Sequence, residues 1–255
     1  MASSYTPTMA GAEVFGHFEV APFSGSKAAP KSGPIAAAQY QREVVNNAAC
    51  MVGVIVLLAV FQFTPKNKLS DFAARKLTHL SMGTLLLFME PNGHPYLKIF
   101  VVAVAAGAVL SCVFKPLRFA QKYDKGIILF NVLVAVWALL DLPFAPLAPM
   151  FYADPCAAIV GTTVESRKWY KNKTIAGSAA VFVVTLLTAF TVDYAWHRLA
   201  IAALCTLLEA LGGDYDNLLM SIPVIGYFLI FQYSSGEETA FGGLSFRGGW
   251  SSEAR

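Results

Sequence analysis

The chain has 255 residues, of which 56% are apolar and 14% charged, with a net charge of +3 at pH 7 and a mean hydropathy of +0.55. Soluble domains carry about 25% charged residues, so this composition excludes a soluble enzyme and a disordered chain. A net charge this small, distributed over short loops, also argues against nucleic acid as a partner. The long apolar segments indicate an all-α polytopic membrane protein.

Eight apolar segments with brief connections predict seven or eight transmembrane helices within residues 46–233. The segments are residues 46–64, 77–90, 97–114, 126–142, 144–164, 176–193, 197–212 and 217–233. Several are short for a bilayer and require a protein-lined centre or local thinning of the membrane. Residues 1–45 are rich in small residues and proline, and we expect a flexible leader there; residues 234–255 predict a loose tail.

Lysine and arginine residues collect in three of the connections between segments. They are Lys66, Lys68, Arg75 and Lys76 after the first segment, Lys115, Arg118, Lys122 and Lys125 after the third, and Arg167, Lys168, Lys171 and Lys173 after the fifth. The positive-inside rule assigns these three connections to the cytosolic side. Both termini then lie on the opposite, lumenal side.

The fifth segment begins with three prolines in the stretch 142–149. Such a stretch predicts a broken or re-entrant helix. Irregular backbone at membrane depth is tolerated where it lines a cavity, so this segment indicates a site. Asp154 follows the prolines, and an ionisable residue inside a span is a functional candidate. Because Pro155 comes next, a helix N-cap is the alternative interpretation of Asp154.

Arg75, Lys76 and His79, with Gly83 beyond, form a second candidate group. Arg75, His79 and Gly83 are four residues apart and lie on one stripe of a helix. Two cations and an imidazole facing one cavity suit a phosphate or a hydroxyl that loses its proton. The alternative is a basic flank whose long side chains extend to the lipid headgroups.

Lys173, Thr174, Gly177 and Ser178 form a third group, where a basic loop meets an apolar helix. Backbone N–H groups at a helix start attract anions, glycine permits close approach, and lysine adds a charge. The group therefore predicts a phosphate cradle, although the spacing of a P-loop is missing.

Glu209, Asp216 and Asn217 form the fourth group, together with Asp214, at the junction of the last two segments. Carboxylate and amide oxygens are ligands of Mg²⁺, which binds one or two carboxylates together with substrate phosphates. A solvated turn is the alternative interpretation, and it suits Asp214 better than Asp216 and Asn217.

The order of these groups resembles the polyprenol kinase family, which contains dolichol, phytol and farnesol kinases and a CTP-dependent diacylglycerol kinase, with phosphatidate cytidylyltransferases as more distant relatives. The resemblance covers residues 70–225 and rests on four elements. They are Arg75-Lys76-Leu77-Thr78-His79, Asp154-Pro155-Cys156-Ala157 through Gly161, Lys173-Thr174-Ile175-Ala176-Gly177-Ser178, and Glu209-Ala210-Leu211 with Asp216-Asn217-Leu218. Ala153 departs from the glycine usual before the aspartate, and Glu165 stands close to where a basic residue is common.

The resemblance implies transfer of the γ-phosphoryl group of CTP to the hydroxyl of an isoprenoid alcohol. Mg²⁺ is then the cofactor, with Asp154 and Asp216 as ligands and Glu209 and Asn217 in support. The implied nucleotide and phosphate ligands are Arg75, Lys76, Gly161, Lys173, Thr174, Gly177 and Ser178. His79 or a carboxylate orients the acceptor hydroxyl. The endoplasmic reticulum is the expected membrane, with the plastid envelope as the alternative, and the chain could form a homodimer.

Other functions stay open at this point. Within enzymes, the acceptor could be diacylglycerol, or the protein could be a cytidylyltransferase that releases pyrophosphate. A small-molecule transporter is a candidate of another class, but such proteins often contain inverted repeats, and the sequence shows no internal repeat. A catalytically inactive membrane subunit is the remaining alternative.

Overall fold

A computed structural model describes residues 34–89, 94–233, 237–241 and 244–248. These residues form a mostly helical structure with eight α-helices. They are α1 (Pro34–Phe63), α2 (Asp71–Phe88), α3 (Pro95–Phe114), α4 (Lys125–Leu139), α5 (Ala148–Thr163), α6 (Ile175–Thr188), α7 (Ala195–Gly212) and α8 (Asp216–Tyr227), the last extended by a π-helical stretch (Phe228–Tyr233).

Two short antiparallel hairpins modify the all-α prediction. One joins β1 (Lys168–Tyr170) to β2 (Lys173–Thr174) between α5 and α6. The other joins β3 (Glu237–Phe241) to β4 (Leu244–Gly248) within the stretch predicted as a loose tail. At the other end of the chain, α1 begins at Pro34, inside the predicted leader. Residues 1–33 of that leader lie outside the described residues.

Three helical segments of the described chain are long and apolar enough to cross a membrane. They are Ala37–Phe63, Pro95–Phe114 and Ala195–Phe231, the last of which runs through α7 and α8. Lys125–Leu139 and Ile175–Thr188 are apolar helices of shorter length. These lengths are consistent with a membrane protein, and the larger number of seven or eight spans stays a prediction.

Ion pairs at the helix ends show how the helices alternate in direction. Arg75 near the start of α2 binds Asp124 before α4, with nitrogen–oxygen distances of 2.7 and 3.0 Å. Lys98 near the start of α3 binds Asp141, which follows the end of α4. The starts of α2 and α4 therefore lie together at one end of the bundle, and the start of α3 lies at the other. The first of these ends is the one that carries the basic connections.

The proline-rich stretch forms the connection between α4 and α5, and the predicted break within the fifth segment is absent between Ala148 and Thr163. A single 3₁₀ turn, Ala145–Leu147, follows α4 and leads directly into α5. The indole N–H of Trp137 donates to the carbonyl oxygen of Pro143 at 2.6 Å and holds this turn against α4. Asp154 lies inside α5, whose first residue is Ala148. The N-cap interpretation of Asp154 is therefore wrong, because capping requires a position before the first helical turn.

Helix α5 is the central helix of the bundle, packing against α2, α6 and α8. The contact with α2 is very close at Gly83, where an added Cβ would lie 2.3 Å from the Cβ of Phe151. Only glycine permits this approach of the two helices. Because α2 and α5 run antiparallel, the same contact brings His79, one turn before Gly83, next to Asp154.

Candidate functional site

The carboxylate of Asp154 is the centre of a buried cluster of charges. Asp154 is 7% exposed and accepts two hydrogen bonds from the ammonium of Lys76, at 2.9 and 3.1 Å. His79 Nδ1 lies 3.2 Å from the Asp154 Oδ2 atom. Lys76 and His79 are three residues apart on α2, so both side chains reach α5 from one face. These contacts supply the partners that an ionised carboxylate needs in a buried position.

His79 keeps one ring nitrogen available. Its Nε2 atom is buried and has no hydrogen-bond partner among the described residues. The ring packs edge-on against Phe130, with centroids 4.5 Å apart. A carboxylate that binds one imidazole nitrogen fixes the tautomer and orientation of the ring. The Asp154–His79 pair therefore has the arrangement of a general base and the group that orients it.

A second cluster of charges joins three elements of the same end of the bundle. Lys173 of β2 forms an ion pair with Glu209 of α7, which is 4% exposed. The Lys173 ammonium also lies 3.6 Å from a carboxylate oxygen of Asp216, at the start of α8. Burial lowers the pKa of Lys173, but the two carboxylates outweigh burial and hold that pKa above its usual value. The charged lysine thus connects the hairpin to α7 and α8.

The first turn of α6 is satisfied within the protein. The Thr174 hydroxyl accepts a hydrogen bond from the Gly177 N–H at 3.1 Å and caps the helix. The Ala176 N–H donates to the hydroxyl of Ser166, also at 3.1 Å. These are the N–H groups that the sequence pattern assigned to a phosphate, and here they already have partners. Thr174 and Gly177 therefore act as helix-start residues in this arrangement.

Gly161 and Ser178 also make contacts within the helix packing. A Cβ added to Gly161 would lie 3.5 Å from the Cα atom of Gly177, so the two glycines let α5 and α6 approach closely. The Ser178 hydroxyl accepts a hydrogen bond from the indole N–H of Trp169 at 2.8 Å. Neither residue lines the polar cavity described next.

Two cavities meet at Asp154. A polar cavity of about 270 Å³ is lined by Arg75, Lys76, residues 121–126, Asp154, Gly213, Asp214, Asp216 and Asn217. An apolar cavity of about 350 Å³ lies among α1, α2, α3 and α4 and includes His79 in its wall. Four residues line both cavities, namely Arg75, Gly126, Asp154 and Asn217. The Asp154 carboxylate therefore has Lys76 on its polar side and His79 on its apolar side.

The predicted magnesium ligands are distributed unequally around the polar cavity. Asp154 and Asp216 line it and are close enough for their charges to repel each other. Asn217 lines it too, and its buried Oδ1 atom has no hydrogen-bond partner in the described part of the chain. Glu209 lies away from the cavity wall and binds Lys173 instead.

The side-chain oxygens of Asp154, Asp216 and Asn217 can be compared with the coordination that a divalent cation requires. Among the described residues, no group of three or more His, Cys, Asp and Glu side chains is arranged to hold a metal ion. Mg²⁺ commonly takes one or two carboxylates, completing its octahedron with water and substrate phosphates. Asp154, Asp216 and the unpartnered amide oxygen of Asn217 fit that smaller requirement. A cation would also relieve the repulsion between the two carboxylates.

Asp124 and Gly126 line the polar cavity without belonging to any motif in the sequence. Asp124 caps α4 by accepting a hydrogen bond from the Ile127 N–H at 3.1 Å, and it binds Arg75 through both carboxylate oxygens. A Cβ added to Gly126 would lie 3.3 Å from the guanidinium of Arg75. A lone carboxylate at a helix start within a basic loop is the sequence signal that could have identified Asp124.

A scan against protein-family models, a search of curated proteins and a search of solved structures each gave no match to this chain.

Proposed function

We propose that this chain is an integral membrane phosphotransferase that moves the γ-phosphoryl group of a nucleoside triphosphate to the hydroxyl of an isoprenoid alcohol. The observation that carries the proposal is the shared wall of a charged cavity and an apolar cavity, with Asp154 between them. A lipid kinase needs this combination, because its donor is a polyanion and its acceptor has an apolar tail. CTP as the donor comes from the family resemblance alone.

The proposed reaction takes place at the shared wall. The acceptor hydroxyl lies there beside His79 Nε2, which takes its proton as the alcohol oxygen attacks the γ-phosphorus. The bond between the γ-phosphorus and the bridging oxygen breaks, and the nucleoside diphosphate leaves. Asp154 orients His79 and stabilises the imidazolium that forms. Arg75 and Lys76 neutralise charge on the transferring group, which is where most of the catalysis in phosphoryl transfer arises.

Magnesium would be held by Asp154, Asp216 and Asn217 and would neutralise charge on the triphosphate when bound. Lys173 and Glu209 lie outside the polar cavity and influence Asp216 through a chain of ion pairs. The ion pair of Lys173 with Glu209 fixes the ammonium, which in turn lies 3.6 Å from the Asp216 carboxylate. Both are positioning residues in this proposal, since neither lines the polar cavity.

The full chain, purified in nanodiscs, tests the proposal through transfer of radiolabel from the γ-position of CTP or ATP to a panel of prenols and diacylglycerol. We expect a phosphorylated prenol and a nucleoside diphosphate as products. Asp154→Asn is expected to lower turnover by about 100-fold or more. Asp193→Asn is the matched control, because Asp193 is an exposed carboxylate after α6 and should leave turnover unchanged.

Other products would identify other functions. A CDP-lipid with release of pyrophosphate would indicate a cytidylyltransferase, and labelled phosphatidic acid would indicate a diacylglycerol kinase. Full turnover of Asp154→Asn in the purified assay would contradict the proposed role of Asp154.

The proposal includes a membrane topology of seven or eight spans, in the endoplasmic reticulum or the plastid envelope. The charged end of the bundle then faces the cytosol or its plastid equivalent. Cysteines introduced at Lys66 and Asp193 should react from opposite sides with a membrane-impermeant thiol reagent. Labelling of both positions from one side would contradict this topology.

A further inference from the structure

The apolar cavity lies between two pairs of helices. Helix α1 packs against α2, and α3 packs against α4, while the cavity occupies the space between the pairs. Its wall includes Arg75 near the start of α2 and Met89 at the end of that helix. The two positions are fourteen residue steps apart, which corresponds to about 21 Å along the axis. The cavity is therefore elongated and follows α2 through most of its length.

Polar atoms line this elongated cavity mainly at its Asp154 end. Arg75, His79, Asp154 and Asn217 meet there, and the buried Asn217 Oδ1 atom lacks a hydrogen-bond partner among the described residues. Toward Met89 the wall is made of apolar side chains of α2, α3 and α4. The matching ligand has one hydrogen-bonding group at its end and an apolar chain behind it.

The volume of the cavity limits how many chains it can hold. A cavity of about 150 Å³ is large enough for one benzene molecule, and this cavity measures about 350 Å³. One short isoprenoid tail fits such a space along its length. The two acyl chains of diacylglycerol exceed it.

We propose that the apolar cavity binds the tail of a short, single-chain prenol and that Met89 sets the longest tail it accepts. This inference rests on the proposed function, whose acceptor site it specifies. Met89 is 3% exposed and closes the end of the cavity far from Asp154. Gly107 lies in the wall formed by α3, seven residues before that helix ends at Phe114, and therefore nearer the Asp154 end of the cavity.

Gly107 offers a substitution that changes the cavity without disturbing the packing around it. A Cβ added at Gly107 meets no atom within 4 Å, so Gly107→Leu adds a side chain at the cavity wall without a clash. Gly226 in α8 also has no atom within 4 Å of an added Cβ and is not part of the cavity wall. Gly226→Leu also replaces glycine with leucine in a helix, which stabilises the helix to the same extent, and it is therefore the matched control.

The experiment measures equilibrium binding of tritiated geraniol, farnesol and geranylgeraniol to the full chain in nanodiscs, without a nucleotide, and then transfer to the same alcohols. For Gly107→Leu we expect binding of all three alcohols to fall by a similar factor of about tenfold, the effect of losing about two buried methylene groups, because the new side chain lies near the hydroxyl end that they share. Gly226→Leu should leave the whole series unchanged. Met89→Ala should shift the preference toward the longer alcohols.

Separate outcomes decide the two proposals. Prenol binding that Gly107→Leu weakens and whose length preference Met89→Ala shifts, without transfer from any donor, would support the tail site and contradict the kinase. Transfer to prenols that Gly107→Leu does not weaken, with a length profile that Met89→Ala does not alter, would support the kinase and overturn the tail site. Diacylglycerol bound as tightly as geranylgeraniol would also overturn it.

Discussion

The buried ion pair between Lys76 and Asp154 allows a quantitative prediction of stability. The two side chains are 13% and 9% exposed, so removing either charge leaves the other in a largely buried position. Breaking a buried pair in this way costs about 3–5 kcal/mol. Lys76 also lines the polar cavity, and a polar cavity of this size admits water. Water there would solvate part of the charge that remains after the substitution. We therefore expect Lys76→Met to lower the free energy of unfolding by about 3 kcal/mol, the lower end of that range.

The measurement is unfolding by denaturant in mixed micelles, followed by circular dichroism, for the unmodified chain, Lys76→Met, Asp154→Asn and the double variant. Because the two groups share one interaction, the double variant should lose less than the sum of the single losses, by about 1–3 kcal/mol. Lys66→Met is the control. Its partner is Asp71, and these two side chains are 74% and 42% exposed, so its loss should stay below about 1 kcal/mol.

The reasoning would be refuted if Lys76→Met cost no more than Lys66→Met, or if the single losses simply added. Either result would mean that Asp154 does not depend on the α2 ammonium for its buried charge. The proposed orientation of His79 would then lose its structural basis, because it relies on the same carboxylate.

Two further predictions concern helix packing and capping. Gly83→Ala should destabilise the protein by about 1–3 kcal/mol, because the new Cβ would meet Phe151 at 2.3 Å. Gly226→Ala is the control, because its new Cβ has open space around it, and it should leave stability unchanged. Equal melting temperatures of the two variants would contradict the close α2–α5 contact. Thr174→Ala should cost about 1 kcal/mol by removing the α6 cap. Thr163→Ala, which removes an exposed hydroxyl bonded only to its own helix, is the control, and an unchanged melting temperature for Thr174→Ala would show that the cap is not needed.

Hydropathy and local spacing were sufficient to predict much of the helical framework. The apolar segment 97–114 corresponds to α3 (Pro95–Phe114), and 126–142 overlaps α4 (Lys125–Leu139). A continuous apolar run must satisfy its backbone hydrogen bonds internally, and a helix does so within one segment. The start of α1 at Pro34 was missed because the residues from 34 to 45 are too polar for a hydropathy criterion. Helix formation there follows backbone propensity, which alanine and glutamine favour.

The sequence placed the candidate residues on their helices but left their roles ambiguous. Asp154 followed by Pro155 is the pattern of a helix N-cap, because proline is favoured at the first helical position, yet both residues lie inside α5. Lys173 through Ser178 suits a phosphate cradle, yet the Thr174 hydroxyl caps its own helix and Ser178 binds Trp169. Local sequence specifies which groups are available, and it does not specify which partner each one takes.

The sequence alone determined the helical class, the apolar segments and the set of charged residues that those segments isolate. Helical periodicity and the cost of burying charge are local properties, so they can be read from neighbouring residues. Only the tertiary structure brought Lys76 to Asp154, which is 78 residues away, and placed Asp154 where a polar and an apolar cavity meet. That meeting depends on the close approach of α2 and α5 at Gly83, a long-range packing contact that spacing along the chain does not encode.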